Sequence, residues 1–152
     1  MRWLEPDELA AWMSLAAVLF KLPGVLDFQL QRDSGLTHFE YLVMAGLSES
    51  PGRSRRMSDL AGFSNGSLSR LSHVVKRLEK RGFVVRRPDV DDGRITVAEL
   101  TDEGWEQVVA AAPGHVATVR EFVIDALDSE QLAQLKAIGD QIHRKVEPGR
   151  PC

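Results

Sequence analysis

Between Arg53 and Thr101 the chain reads RSRRMSDLAGFSNGSLSRLSHVVKRLEKRGFVVRRPDVDDGRITVAELT, an order of patterns that few folds accommodate. Met57 to Phe63 has the composition of one short helix, with Ser58 placed to cap it. Ser64-Asn65-Gly66 is a tight connection, in which Ser64 or Asn65 can cap the next helix. Leu68, Leu71, Val75 and Leu78 then recur at intervals of 3, 4 and 3, which puts them on one side of a helix. Opposite them stand Gly66, Ser69, Arg70, His73, Lys76, Arg77 and Lys80. That outer face holds no acid and no large apolar residue, whereas a helix kept soluble in the ordinary way mixes charge signs there. Gly82 stops the helix. Phe83–Arg87 and Ile95–Leu100 are β-branched and apolar runs joined by the turn residues Pro88 to Arg94. The expected fold class is therefore mainly α with a small β-hairpin wing, a winged helix-turn-helix.

Charge supports a polyanion as partner. The whole chain carries −3, yet residues 50–95 hold +6 and the remainder −9. A basic centre inside an acidic frame is the footprint of a chain presenting one face to nucleic acid. Ser, Arg and His on the outer helix face can read base edges, and Lys and Arg can meet phosphate. In the hairpin tip, Arg94 after Gly93 can enter a narrow minor groove, where arginine is favoured. Asp92 is expected to brace it, since a loose acid there would repel phosphate.

Long apolar helices flank this unit. Pro6-Asp7-Glu8 opens a first helix, with Leu9, Trp12, Met13, Ala16, Leu19 and Phe20 on one face. Pro23-Gly24 kinks or interrupts it before it ends at Gly35. Thr37 and Glu40 form a capping box for a second helix, which Ser50-Pro51-Gly52 breaks before Arg53–Arg56 lead on. After Thr101 a further helix carries Trp105, Val108, Val109, Ala112, Val116 and Val119, with a second break expected at Pro113-Gly114. Asp128 to Gln131 signals a last helix bearing Leu132, Leu135, Ile138, Ile142 and Val146. These faces exceed what one small core needs, so residues 1–34 and 104–152 are read as a dimerisation region around a DNA-binding region at 35–103. No apolar run approaches the roughly 18–20 residues of a bilayer span, and the N-terminus lacks a signal-peptide pattern. No membrane partner and a cytoplasmic location are therefore expected. Cys152 is the single cysteine, so no internal disulfide forms.

The same residues resemble the MarR family (multiple antibiotic resistance regulators) over nearly the whole length. The resemblance rests on GLT at 35–37, MSDLA at 57–61, the run from Ser64 to Val84, and the wing pattern Asp92, Arg94, Leu100, Thr101 and Gly104. It implies a homodimer whose two recognition helices, about Asn65 to Arg81, and two wings sit on a pseudo-palindromic double-stranded operator. Repression is the usual outcome, with release by a small aromatic or phenolic effector. Combining residues and resemblance, the expected DNA-binding set is Ser64, Asn65, Ser67, Ser69, Arg70, His73, Lys76, Arg77, Arg86, Asp92 and Arg94. Trp12, Phe28, His38, Phe39 and Trp105 are the candidates for an effector pocket. The chain departs from the peroxide-sensing branch, whose reactive cysteine lies near the N-terminus.

No catalytic constellation, phosphate loop or cofactor motif is present in the sequence, and no enzymatic activity or cofactor is expected. His38, His73, His115 and His143 are scattered without metal-ligand spacing. Two alternatives remain: a zinc-sensing regulator of the same fold, and a winged-helix protein-interaction module without DNA binding, against which the acid-free basic face argues.

Overall fold

The computed structural model describes residues 1–63 and 67–147. The expectations for Ser64, Asn65, Gly66 and Cys152 fall outside them. By internal contacts the chain forms two compact units, residues 1–115 and 116–152.

The first unit begins with α1 (Pro6–Ser34), opened by a capping box between Glu5 and Glu8. The helix passes through Pro23 without ending and stops at Gly35, whose φ of 62° is the left-handed turn that glycine adopts without strain. Then α2 (His38–Ser48) starts at the Thr37–Glu40 capping box, Thr37 Oγ1 accepting from the Glu40 amide at 3.1 Å and Glu40 Oε2 from the Thr37 amide at 2.9 Å.

Residues Arg53–Arg56 differ from expectation. After a 3₁₀ turn, Ser54–Arg56 forms a strand, β1, and α3 (Met57–Phe63) follows directly, so Ser58 sits inside the helix rather than capping it. Three residues, two of them arginines, carry no strand signal of their own; the free edge of β3 supplies the pairing. The sheet is thus three-stranded and antiparallel, in the order β1-β3-β2, with β2 (Val84–Pro88) and β3 (Thr96–Leu100) forming the wing hairpin. Between α3 and β2 lies α4 (Leu68–Lys80).

One core joins these elements: Leu30 and Leu36, Met44 and Leu47 of α2, Leu60 of α3, Leu71, Val75 and Leu78 of α4, and Val84, Ala98 and Leu100 of the sheet. Leu68, expected on the buried stripe, is 55% exposed, and Val74 is buried instead. The first turn of α4 extends past the core, so the stripe begins only at Leu71.

A further helix, α5 (Asp102–Val119), is unbroken at Pro113-Gly114. Gly114 lies against α1: a Cβ there would fall 2.9 Å from Nε2 at the far end of the Gln29 side chain. The buried face of α5 comprises Gly104, Val108 and Ala111, while Trp105, Val109 and Val116 of the expected stripe are exposed.

In the second unit, a π-helical turn at Arg120–Ile124 precedes α6 (Ser129–Val146), whose capping box pairs Asp128 and Gln131. Leu135, Ile138, Ile142 and Val146 are exposed along it. In the first unit Leu9, Trp12, Met13, Leu19 and Phe20 of α1 are likewise exposed. By length and composition α1 could cross a membrane, contrary to the expectation from the sequence. Lys21 and Pro23 interrupt the apolar run in the sequence, but the helix continues through both.

Candidate nucleic-acid interface

The outer face of α4 is built from its cap upward. Ser67 is the N-cap, its Oγ accepting from the Arg70 amide at 3.1 Å. From there Ser69, Arg70, His73, Lys76, Arg77 and Lys80 are all exposed on one face, as the spacing requires. Burial of Leu71, Val74, Val75 and Leu78 holds that face outward.

The cations on this surface are held in different ways. The Arg70 guanidinium lies over the Phe39 ring, 4.6 Å from its centroid. Arg77 Nε donates to Glu40 Oε1 at 3.1 Å, and Arg81 Nη1 lies 3.8 Å from Glu40 Oε2 while donating to the Gly35 carbonyl at 2.9 Å. Glu79, at the end of the same helix, accepts from both the Arg86 amide (3.0 Å) and Arg86 Nε (2.9 Å). Arg86 is thus tied across from β2 to α4. Among the described residues Arg70, His73, Lys76 and Lys80 have no carboxylate partner.

The wing tip is ordered by its acids. Asp89 Oδ1 accepts from the amides of Asp91 (2.9 Å) and Asp92 (3.2 Å), and its other oxygen lies 3.5 Å from Arg56 Nε. These amides, followed by Arg56, hold the Asp89 carboxyl below the usual carboxylate range. Asp92 and Arg94 form the expected pair, two-pronged at 3.0 Å from Nε and 3.0 Å from Nη2, with the Arg94 amide adding a third bond at 3.1 Å. Arg94 lowers the Asp92 pKa, and its own is raised in turn. The guanidinium nonetheless stays 91% exposed.

At the wing's base, Thr101 Oγ1 donates to the Gly82 carbonyl at 2.7 Å and accepts from the Gly104 amide at 3.0 Å. A Cβ at Gly104 would fall 2.2 Å from the Phe83 carbonyl oxygen. Gly82 itself turns with φ 77°. The spacing Leu100-Thr101…Gly104 is therefore a steric and hydrogen-bonded seat joining α4, the wing and α5.

Among the described residues, the clefts that Phe39 and Phe28 line are different ones. Phe39 lines an open cleft between α2 and α4 with Asp27, Thr37, Arg70, His73 and Arg77. Phe28 borders a separate cleft on α1. Trp12 is half exposed on α1, and Trp105 lies beneath Arg53, whose guanidinium is 4.5 Å from the ring and bonded to Asp102. His38 lies 6.0 Å from His115, which packs 4.6 Å from Tyr41. Burial pushes both histidines down in pKa, Asp27 opposing it at His38 and His38 reinforcing it at His115. Among the described residues no three His, Cys, Asp or Glu side chains gather as a metal site.

Sequence reasoning missed Glu79 as the partner of Arg86, and saw in Glu40 only a helix cap. Both are acids beside a basic surface, but their partners lie in other elements and leave no local spacing signal.

A profile of the MarR family matches residues 36–96. The chain is similar to Sco3205, a MarR family transcriptional regulator from Streptomyces coelicolor whose structure was solved in complex with DNA. The two are 42% identical, with 99% of this chain and 95% of that one covered and a TM-score of 0.94. It also matches the HTH-type transcriptional regulator YdcH of Bacillus subtilis (strain 168), 34% identical over 51% of this chain and only 54% of that protein's length. The HTH-type transcriptional repressor YetL of the same organism is 24% identical over 93% of this chain and 84% of its own length.

Proposed function

The chain belongs to the MarR family of DNA-binding transcriptional regulators, and from that premise we propose that it is a cytoplasmic, homodimeric repressor acting on a pseudo-palindromic operator. The observation that carries the reading is the exposed, acid-free face of α4 beside a wing tip whose Arg94 is oriented by Asp92. Sco3205, similar over its length, was solved with DNA, and YetL is named a repressor. One α4 and one wing cover half of a two-fold site, so a second copy is needed, and half-site spacing follows from the dimer. The apolar surfaces of α1 and α6 supply what such pairing would bury. On this reading the apolar length of α1 serves a protein partner rather than a bilayer.

A small aromatic or phenolic effector completes the proposal. The cleft between α2 and α4 offers Phe39 with Arg70 and Arg77, an aromatic wall and two cations. A ligand there would compete with the contacts that hold the reading face, and it releases DNA only if it binds better to the DNA-incompetent geometry.

A mobility-shift titration tests the DNA reading. Affinity is expected to fall steeply with salt, because phosphate neutralisation releases counterions. A protein that does not shift duplex DNA at low salt, or shifts it equally at all salt concentrations, would refute the reading and leave the protein-interaction module in its place.

A further inference from the structure

Arg77 and Glu40 raise a question that exposure alone does not answer. Arg77 stands on the outer face of α4, where a phosphate or base contact is the obvious role. Its Nε is instead bonded to Glu40 at 3.1 Å, and the Glu40 side chain is only 6% exposed. A carboxylate so far removed from water needs partners for its charge. It has the Thr37 amide at 2.9 Å, Arg77, and Arg81 at 3.8 Å. Withdrawing Arg77 toward DNA would remove its shortest cationic contact.

The position of Glu40 in the fold makes this pair more than local. Glu40 is the third residue of α2 and fixes that helix's start through the capping box. The same start is bonded to α1, because the His38 amide donates to Asp27 Oδ1 at 2.8 Å. On the other side Arg77 and Arg81 lie in and just after the last turn of α4. An unbroken set of polar contacts therefore runs from α1 through the start of α2 to the reading helix. Arg70, about two turns before Arg77 on α4, rests on the Phe39 ring with no carboxylate partner among the described residues.

We propose that Glu40 and Arg77 form a positioning pair: they set the angle of α4 against α1 and α2, and Arg77 acts on DNA through that angle rather than by touching it. Base reading is left to Arg70 and its neighbours. The inference rests on the DNA-binding reading above.

The test uses the full-length protein, a duplex selected with it from a random library, and a scrambled duplex of equal length. Three variants are compared: Glu40→Gln, Arg77→Gln and the double variant. Glutamine at 40 keeps the capping box but removes the charge facing Arg77. Each single variant is expected to weaken binding to the selected duplex on the order of tenfold, and the double variant no further, since both remove one interaction. Binding to the scrambled duplex and the slope of affinity against salt should stay as in the parent protein. The proposal is overturned if Glu40→Gln binds like the parent. It is also overturned if Arg77→Gln weakens both duplexes alike and reduces the salt slope by about one, the mark of a lost phosphate contact. Should Glu40→Gln not fold, as judged by circular dichroism, Arg77→Gln decides alone by the same two signs. Failure of the parent protein to bind either duplex would refute the DNA-binding reading itself, which keeps the two failures distinct.

Discussion

Arg70 and Arg94 are held ready by different physics. Arg70 is supported by a ring face, which leaves all its donors available, and Arg94 is oriented by a carboxylate that shares two of them. Arg70→Ala is expected to relax sequence preference by about 1–3 kcal/mol at one base position, if it makes a two-pronged base contact; competition binding to single-base operator variants measures this. Arg94→Ala should weaken operator binding while leaving the oligomeric state unchanged, which mobility shift and sedimentation read separately. A monomeric Arg94→Ala protein would mean that the wing also takes part in assembly. The Asp92 brace has a defined pH sense. Its carboxyl is held below the usual value chiefly by Arg94, so the brace is complete above the ordinary aspartate range and is lost as pH falls through the lowered folded value. An NMR titration of the Asp92 carboxyl should show a midpoint below that of a free aspartate, moving back toward it in Arg94→Ala.

Elements meet at two seats near the C-terminal end of α4. Glu79 and Arg86 tie its end to the wing, and Thr101 and Gly104 tie the wing's base to α5. At the second seat there is no room for a side chain, since the nearest atom to a Cβ at Gly104 is backbone. Gly104→Ala is expected to cost about 1–3 kcal/mol as an overpacked site, seen as a lowered melting temperature. A third junction, where His115 packs on Tyr41 near His38, is expected to respond to pH. Both histidines have lowered pKa values, so between the folded and the ordinary histidine values the unfolded chain binds more protons. Stability therefore rises with pH through that window and is lost on acidification. Thermal melts across it should show this slope, and His115→Gln should flatten it.

For the molecule as a whole, the decisive feature is the apolar surface left exposed on α1 and α6. On a lone chain an exposed residue such as Ile138 is replaceable within about 0.5 kcal/mol. In a dimer that buries it, Ile138→Asp would place a charge in an apolar interface. The expected result is a shift from dimer to monomer in sedimentation at micromolar concentration, with operator affinity lost alongside. An unchanged sedimentation profile would assign the pairing to other surfaces.

Periodicity along one chain segment carried most of the architecture. Most of the stripe of α4, its acid-free outer face, the wing hairpin, the capping box at Thr37 and the cap signal at Asp128 each depend on residues within a few helical turns or one hairpin. Such features are set by local backbone geometry, so spacing reveals them. Contacts between distant segments left no such trace. The strand at Ser54–Arg56 exists because β3 offers an edge, and α5 runs through Pro113-Gly114 beside Gln29 of α1. Arg77 and Arg86, read from the sequence as DNA contacts, acquire Glu40 and Glu79 only when α2 and the wing fold against α4. Spacing along the chain tells which face of α4 turns outward and what charge it shows, because both follow from a fixed turn per residue. Which of those charges remain available to a partner was decided by tertiary structure, because a carboxylate brought close in space competes for the same donors as DNA.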